Sequence, residues 1–93
     1  MKFRIFVSPA AARDVDRLEA WLIDKDPTSA HRIGEVLETA IASLDEMAER
    51  GRPVSVATRE LNARFGRSIY VIRYRVTNDQ VVVTRILHGR ERR

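Results

Sequence analysis

Arg67-Ser68-Ile69-Tyr70-Val71-Ile72-Arg73-Tyr74-Arg75-Val76 decides the fold, because its side chains alternate with a period of two. Tyr70, Ile72, Tyr74 and Val76 share one face, while Ile69, Val71, Arg73 and Arg75 share the other, as in a strand with one buried side. The tyrosine face is expected to lie under helices. The arginine face is expected to look outward, with Arg67 continuing its alternation, so that Arg67, Arg73 and Arg75 line a groove about 20 Å long. Thr77-Asn78-Asp79-Gln80 then reads as a hairpin turn, since Asn and Asp tolerate left-handed conformations. Val81 to Leu87 returns as a mostly apolar antiparallel strand.

Working back from this hairpin, Val54, Val56 and Leu61 outline a weaker strand, and Gly51 with Pro53 marks the end of a helix. That helix starts at Asp26-Pro27, an N-cap followed by proline at the first helical position. Its apolar stripe is Ile33, Leu37, Ala40, Ile41, Leu44, Met47 and Ala48, which predicts a helix of about 23 residues reaching Arg50, roughly 35 Å long. Gly34 inside it implies close approach of a neighbouring helix, and Met47 is expected to fill a gap near its end. Ser8-Pro9 gives the same start signal for an earlier helix with the stripe Ala11, Val15, Leu18 and Leu22. Its charged residues Arg13, Asp14, Asp16, Arg17 and Glu19 are expected in water, with Trp21 at the margin of the stripe. The turn between the helices is so short that they form an antiparallel hairpin. Lys2 to Val7 alternates like a half-buried strand. The predicted order is β-α-α-β-β-β, an α+β fold with a helical hairpin on one face of a small antiparallel sheet.

At 93 residues the chain has material for one core, so residues 1–93 are expected to form one domain. It has no cysteine, which excludes disulfides and thiolate metal sites and suits a reducing cytoplasm. No apolar run approaches the roughly 18 residues of a membrane span. The net charge of +4 is unevenly spread: residues 1–49 hold six basic and ten acidic residues, a net of −4, and residues 50–93 hold eleven arginines against three acids, a net of +8. Because every cation in the second part is arginine, whose planar fork suits phosphate and carboxylate, one surface is expected to meet a polyanion or an acidic partner.

No phosphate loop, nucleotide fingerprint, zinc spacing or nucleophile elbow occurs, and no metal or cofactor is expected. His31 reads as a solvated residue in the first turn of the second helix. His88 closes the last strand beside Gly89 and Arg90, where an imidazole is either a structural hydrogen-bonder or a general acid in phosphodiester cleavage. Glu60 beside Arg59 is either the matching base or part of an ion-pair network. The basic surface is compatible with RNA, with a nucleic-acid enzyme, or with an acidic peptide; tyrosines on the core face rather than among the arginines disfavour base stacking.

The whole chain resembles the ParE branch of the ParE/RelE toxins. The resemblance is carried by Val7-Ser8-Pro9-Ala10-Ala11, Asp26-Pro27-Thr28-Ser29-Ala30, Arg59-Glu60-Leu61, Tyr70-Val71-Ile72-Arg73-Tyr74-Arg75-Val76 and Arg85-Ile86-Leu87-His88-Gly89-Arg90, in that order. It implies the toxin of a type II toxin–antitoxin pair, held inactive by a cognate antitoxin with an acidic or amphipathic C-terminal segment, and touching DNA only through that antitoxin. RelE-like members are similar in fold and act as ribosome-dependent mRNA endonucleases, whereas ParE-like members inhibit DNA gyrase. The nuclease pattern implies an arginine where this chain has Val71, another where it has Glu91, and an aromatic residue near the C-terminus, where nothing aromatic follows Tyr74. The resemblance therefore favours a gyrase inhibitor without hydrolytic chemistry. Its target or antitoxin contacts would come from Trp21, Arg59, Arg67, Arg73, Arg75, Arg85, His88 and Arg90. In the nuclease alternative, Arg73 and Arg90 would stabilise phosphorane charge and His88 would protonate the leaving oxygen. A module that only holds an antitoxin is the third possibility.

Overall fold

The computed structural model describes residues 2–91. In chain order the elements are β1 (Arg4–Val7), α1 (Pro9–Lys25), α2 (Pro27–Ala42), a 3-10 turn (Ser43–Asp45), β2 (Arg52–Pro53), β3 (Thr58–Phe65), β4 (Ser68–Val76), β5 (Gln80–His88) and a second 3-10 turn (Gly89–Glu91). The helical hairpin lies on one face of a five-stranded sheet ordered β1-β5-β4-β3-β2. The helix starts are those predicted: Ser8 accepts from the Ala11 N–H and Asp26 from the Ser29 N–H, each ahead of a proline. Gly34 faces α1 so closely that a Cβ there would lie 3.2 Å from Glu19 Oε2.

Four features depart from the expectation. The sheet is mixed rather than antiparallel, since β1 pairs in parallel with β5. The helical hairpin and its 3-10 turn end beside β1, where the Phe3 N–H donates to the Asp45 carbonyl; residues 46–51 carry the chain to the far edge, and the β3-β4-β5 meander brings it back until β5 meets β1. The second helix stops at Ala42 rather than Arg50. Ser43 Oγ donates to the Ala40 carbonyl at 2.6 Å, a local bond that competes with the helical ladder, and the following 3-10 turn drives Leu44 fully into the core. Met47 consequently sits on the surface at 60% exposure instead of filling a gap. Val54 and Val56 lie in the loop between β2 and β3 rather than in a strand. Finally, neither Asn78 nor Asp79 is left-handed; the turn closes through Thr77 N–H to the Gln80 carbonyl at 2.9 Å.

The core faces of the sheet and helices meet as the alternation requires. Tyr70, Ile72 and Tyr74 are buried against Ile33, Leu37 and Leu44, with Val81, Val83 and Ile86 alongside. Tyr74 also closes the helix-to-strand connection, its hydroxyl donating to the Ala48 carbonyl and accepting the Gly51 N–H, both at 2.8 Å. A Cβ on Gly51 would stand 2.6 Å from that hydroxyl, so only glycine allows the approach. Burial raises the Tyr74 phenol above its ordinary range. Gly66, at φ 62, turns the β3–β4 hairpin in two residues.

Candidate functional site

β1 covers β5 only from Gln80 to Val83, so the rest of β5 presents an open edge to α1. Ser8 and Asp14 close that edge. Ser8 N–H donates to the Val83 carbonyl and its hydroxyl to the Thr84 carbonyl, while Asp14 Oδ2 accepts the Ile86 N–H at 2.8 Å. Arg85 Nε adds a bond to Oδ2 at 2.8 Å, and Arg85 Nη2 and Arg17 Nη2 reach Oδ1 at 3.2 and 3.3 Å. Burial alone would push the Asp14 carboxyl up; these donors outweigh it and hold the group below the usual carboxylate range. Asp14 is therefore an edge clasp, not the solvated residue expected. Its spacing carried a signal, because it lies three residues after Ala11 and four before Leu18, within the buried stripe.

On the sheet face away from the helices, Glu60 is buried and receives Arg73 through Nε at 3.0 Å and Nη2 at 2.9 Å, with Arg52 Nη2 at 3.3 Å. Both Arg73 groups converge on Oε2 while Arg52 takes Oε1, and these charge-assisted bonds hold Arg73 on the carboxylate. Of the two readings of Glu60, the ion-pair network is the one the geometry realises.

His88 lies at the other end of β5, opposite Tyr70 in the sheet register. The His88 and Tyr70 rings meet edge to face at 5.2 Å, and Trp21 stands 5.8 Å from the imidazole. His88 Nδ1 accepts the Arg90 N–H at 3.1 Å and Nε2 contacts Ser68 Oγ at 3.2 Å. These groups border a half-open groove of about 920 Å³, whose lining includes Leu18, Trp21, Ile69, Val71, Arg67 and Arg90. Gly89 permits the turn at its end, since a Cβ there would be 2.9 Å from the Ile69 carbonyl.

The expected arginine row does not form. Arg67 is in the β3–β4 turn rather than on the strand, Arg73 is held by Glu60, and Arg75 projects alone from an exposed position. Arg85 belongs to the Asp14 clasp, and Arg59 donates to the Gly51 and Glu49 carbonyls at 2.7 and 3.1 Å. Among the described residues, the guanidinium groups of Arg67, Arg75 and Arg90 enter no hydrogen bond or ion pair. Trp21, Arg67, His88 and Arg90 do come together at the groove, joined there by Arg17 and Ser68, which the sequence did not single out, and by Glu91, which it marked only as a departure from the nuclease pattern. His31 is exposed on α2 as expected. Arg92 and Arg93, counted among the eleven arginines of residues 50–93, lie outside the described residues. No helix among the described residues is long and apolar enough to cross a membrane.

A helical hairpin on a mixed sheet, with a groove that Trp21 and His88 border and arginines rim, defines a small α+β module with one candidate binding groove. Residues 5–93 match the family model of the ParE toxin of the type II toxin–antitoxin system parDE. Toxin RelE1 of Caulobacter vibrioides is 50% identical over 93 residues, spanning 100% of both chains. Among solved structures, the chromosomal ParDE system from P. aeruginosa superposes with a TM-score of 0.82 at 21% identity, covering 94% of this chain and 96% of that one. The toxin–antitoxin complex RelBE2 from Mycobacterium tuberculosis gives 0.63 at 23% identity, covering 95% and 99%. These two likenesses concern the fold. The chain belongs to the ParE family, the toxins of type II toxin–antitoxin systems.

Proposed function

We propose that this toxin acts by binding its target without cleaving nucleic acid, that the target is DNA gyrase, and that a cognate antitoxin neutralises it in the cytoplasm. The observation that carries the reading is the separation of the groups a nuclease would need. His88 pairs with Tyr70, on the face under the helices, whereas Glu60 and Arg73 pair with each other on the opposite face. Tyr70 and Arg73 are three positions apart on one strand, with two residues between them, so their side chains point to opposite sides. An acid at His88, a base at Glu60 and a cation at Arg73 would have to converge within about 3 Å of one phosphate, and neither Glu60 nor Arg73 lines the groove that His88 borders. Arg73 is moreover already neutralised by a buried carboxylate. Val71 and Glu91, at the positions where the nuclease pattern has arginine, agree with this.

The test adds purified protein to a gyrase supercoiling reaction and, in parallel, to ribosomes translating a defined message. Loss of supercoiling with an intact message is the expected outcome. Site-specific cuts in the message with supercoiling unaffected would overturn the proposal in favour of the endoribonuclease, and neither effect from folded protein would leave an antitoxin-binding module.

A further inference from the structure

The sheet face away from the helices ends in a surface that the fold itself does not use. Phe6, Val82, Arg75 and Thr58 are successive register partners across β1, β5, β4 and β3. Their chain neighbours Ile5, Val81, Val83 and Tyr74 pack in the core under the helices, so these four side chains stand together on the outer face. Strands about 4.8 Å apart make the row about 14 Å wide. Phe6 is half exposed and Val82 partly so, while Arg75 is exposed and enters no hydrogen bond or ion pair among the described residues. Arg4 extends the row along β1, its guanidinium 6.0 Å from the centre of the Phe6 ring.

The loop between β2 and β3 adjoins the Thr58 end of this row. Its Val54 and Ser55 N–H groups both donate to the Thr58 carbonyl, at 2.9 and 3.3 Å, which closes the loop on the strand. Val56, two residues before Thr58, is nevertheless wholly exposed, and Val54 is exposed as well. One exposed valine needs no explanation. Two of them next to a row that holds a half-exposed phenylalanine and a free arginine have the composition of an interface centre, where aromatic residues and arginine are enriched and charge is otherwise sparse.

The charge at this end selects the partner. Glu60 is spent on Arg73 and Arg52, Asp79 is spent on Arg4, and Arg75 is left over. The occupant therefore brings an anionic group to Arg75 and apolar groups to Phe6 and Val56. A nucleic acid would set a phosphate on Arg75 and stack a base on Phe6, but it would leave the valines of the loop without an apolar partner. A protein surface with apolar side chains and a carboxylate satisfies all of them.

We propose that this end of the outer sheet face is where the toxin holds its target, and that the target presents a protein surface of apolar side chains with a carboxylate opposite Arg75. The inference rests on the reading of an inhibitor that binds without cleaving, and adds to it the binding surface and the chemistry of the partner. Arg75 lies five residues along β4 from Tyr70, the register partner of His88, so the row stands about 17 Å along the strands from the histidine. Target binding thus uses a part of the molecule other than the His88 groove.

The experiment adds the full chain and its variants to purified gyrase and reads two quantities, the concentration that half-inhibits supercoiling and the dissociation constant. Arg75→Glu and Phe6→Ala are each expected to raise both by about tenfold, and Val56→Ser by about threefold. Arg32→Glu, on the exposed surface of α2, makes the same change of charge elsewhere and should leave both within about twofold. Urea unfolding midpoints accompany every variant. Arg75→Glu and Val56→Ser alter exposed side chains and are expected to keep the wild-type midpoint, so they carry the test even where Phe6→Ala does not fold. If the wild type inhibits and these two variants inhibit at wild-type concentrations, the location is overturned while the inhibitor reading stands. An Arg32→Glu loss equal to that of Arg75→Glu also overturns the location, because overall charge then explains the binding. Binding of the chain to the same DNA without gyrase, weakened by Arg75→Glu to the same degree, overturns the protein partner in favour of a nucleic acid. A folded wild-type chain that leaves supercoiling intact removes the inhibitor reading, and this proposal falls with it.

Discussion

The sheet face around Glu60 and the groove around His88 are both rich in arginine, but they dispose of it in opposite ways. Around Glu60 a buried carboxylate takes up Arg73 and Arg52, and the charges close on themselves. Around His88 the anchored Arg17 is matched by a carboxylate from the last turn, while Arg67 and Arg90 are left without partners among the described residues. The difference teaches that a count of arginines does not locate a binding surface. What locates it is which guanidinium groups the fold has left unspent. The Asp14 clasp connects the two cases: it consumes Arg85 as Glu60 consumes Arg73, yet it holds Arg17 by one nitrogen and leaves the other to the groove.

The sharpest way to break this comparison is to remove the two carboxylates. Asp14→Ala should cost about 2–4 kcal/mol, because it strips the buried Ile86 N–H of its acceptor and releases two arginines at once. Glu60→Ala should cost about 1–2 kcal/mol, since Arg73 and Arg52 both reach water. Urea unfolding midpoints measure both. Equal losses would show that the clasp has no special weight.

Next in size is Tyr74→Phe. It orphans the Gly51 N–H and the Ala48 carbonyl in a buried place and should lower stability by about 1–2 kcal/mol in the same measurement. An effect within experimental error would mean that the hydroxyl does not hold the helix-to-strand connection.

Acid provides a third test of the clasp. Because the folded Asp14 carboxyl lies below its unfolded value of about 3.9, the clasp contributes stability that is fully present above that pH and is lost as the pH falls through the folded value. Stability followed from pH 5 down to pH 2 should therefore fall more steeply in the wild type than in Asp14→Asn. Parallel curves would remove Asp14 from the acid response. Smallest of all is Gly34→Ala. The new Cβ meets only the end of the flexible Glu19 side chain, so helix propensity should win and stability rise by about 0.5 kcal/mol. A loss of more than about 1 kcal/mol would show that the helices cannot yield at this crossing.

Much of the fold was legible because period and capping are local. The alternation from Ile69 to Val76 identified the core face, and Ser8-Pro9 and Asp26-Pro27 set both helix starts. What was not legible depended on partners distant in sequence. The parallel pairing of β1 with β5 joins residues more than seventy positions apart, and no local signal specifies it. The end of the second helix is hidden because its apolar stripe continues through Leu44 and Ala48 into the core after the helix stops at Ala42. At the site, Trp21, Arg67, His88 and Arg90 were found by residue type, and the fold brings them together. Arg59, Arg73 and Arg85 were chosen by the same reasoning, but carbonyl and carboxylate partners occupy them. Glu91 was read as a lost arginine, and its own carboxylate proves to be part of the groove.

The central claim, target inhibition without hydrolysis, is tested most directly by titrating gyrase supercoiling with the wild-type toxin and with His88→Ala. The account predicts inhibition by both at closely similar concentrations, because no proton transfer by His88 enters the action. Absence of inhibition by the folded wild type, or its abolition in a folded His88→Ala protein, would contradict it.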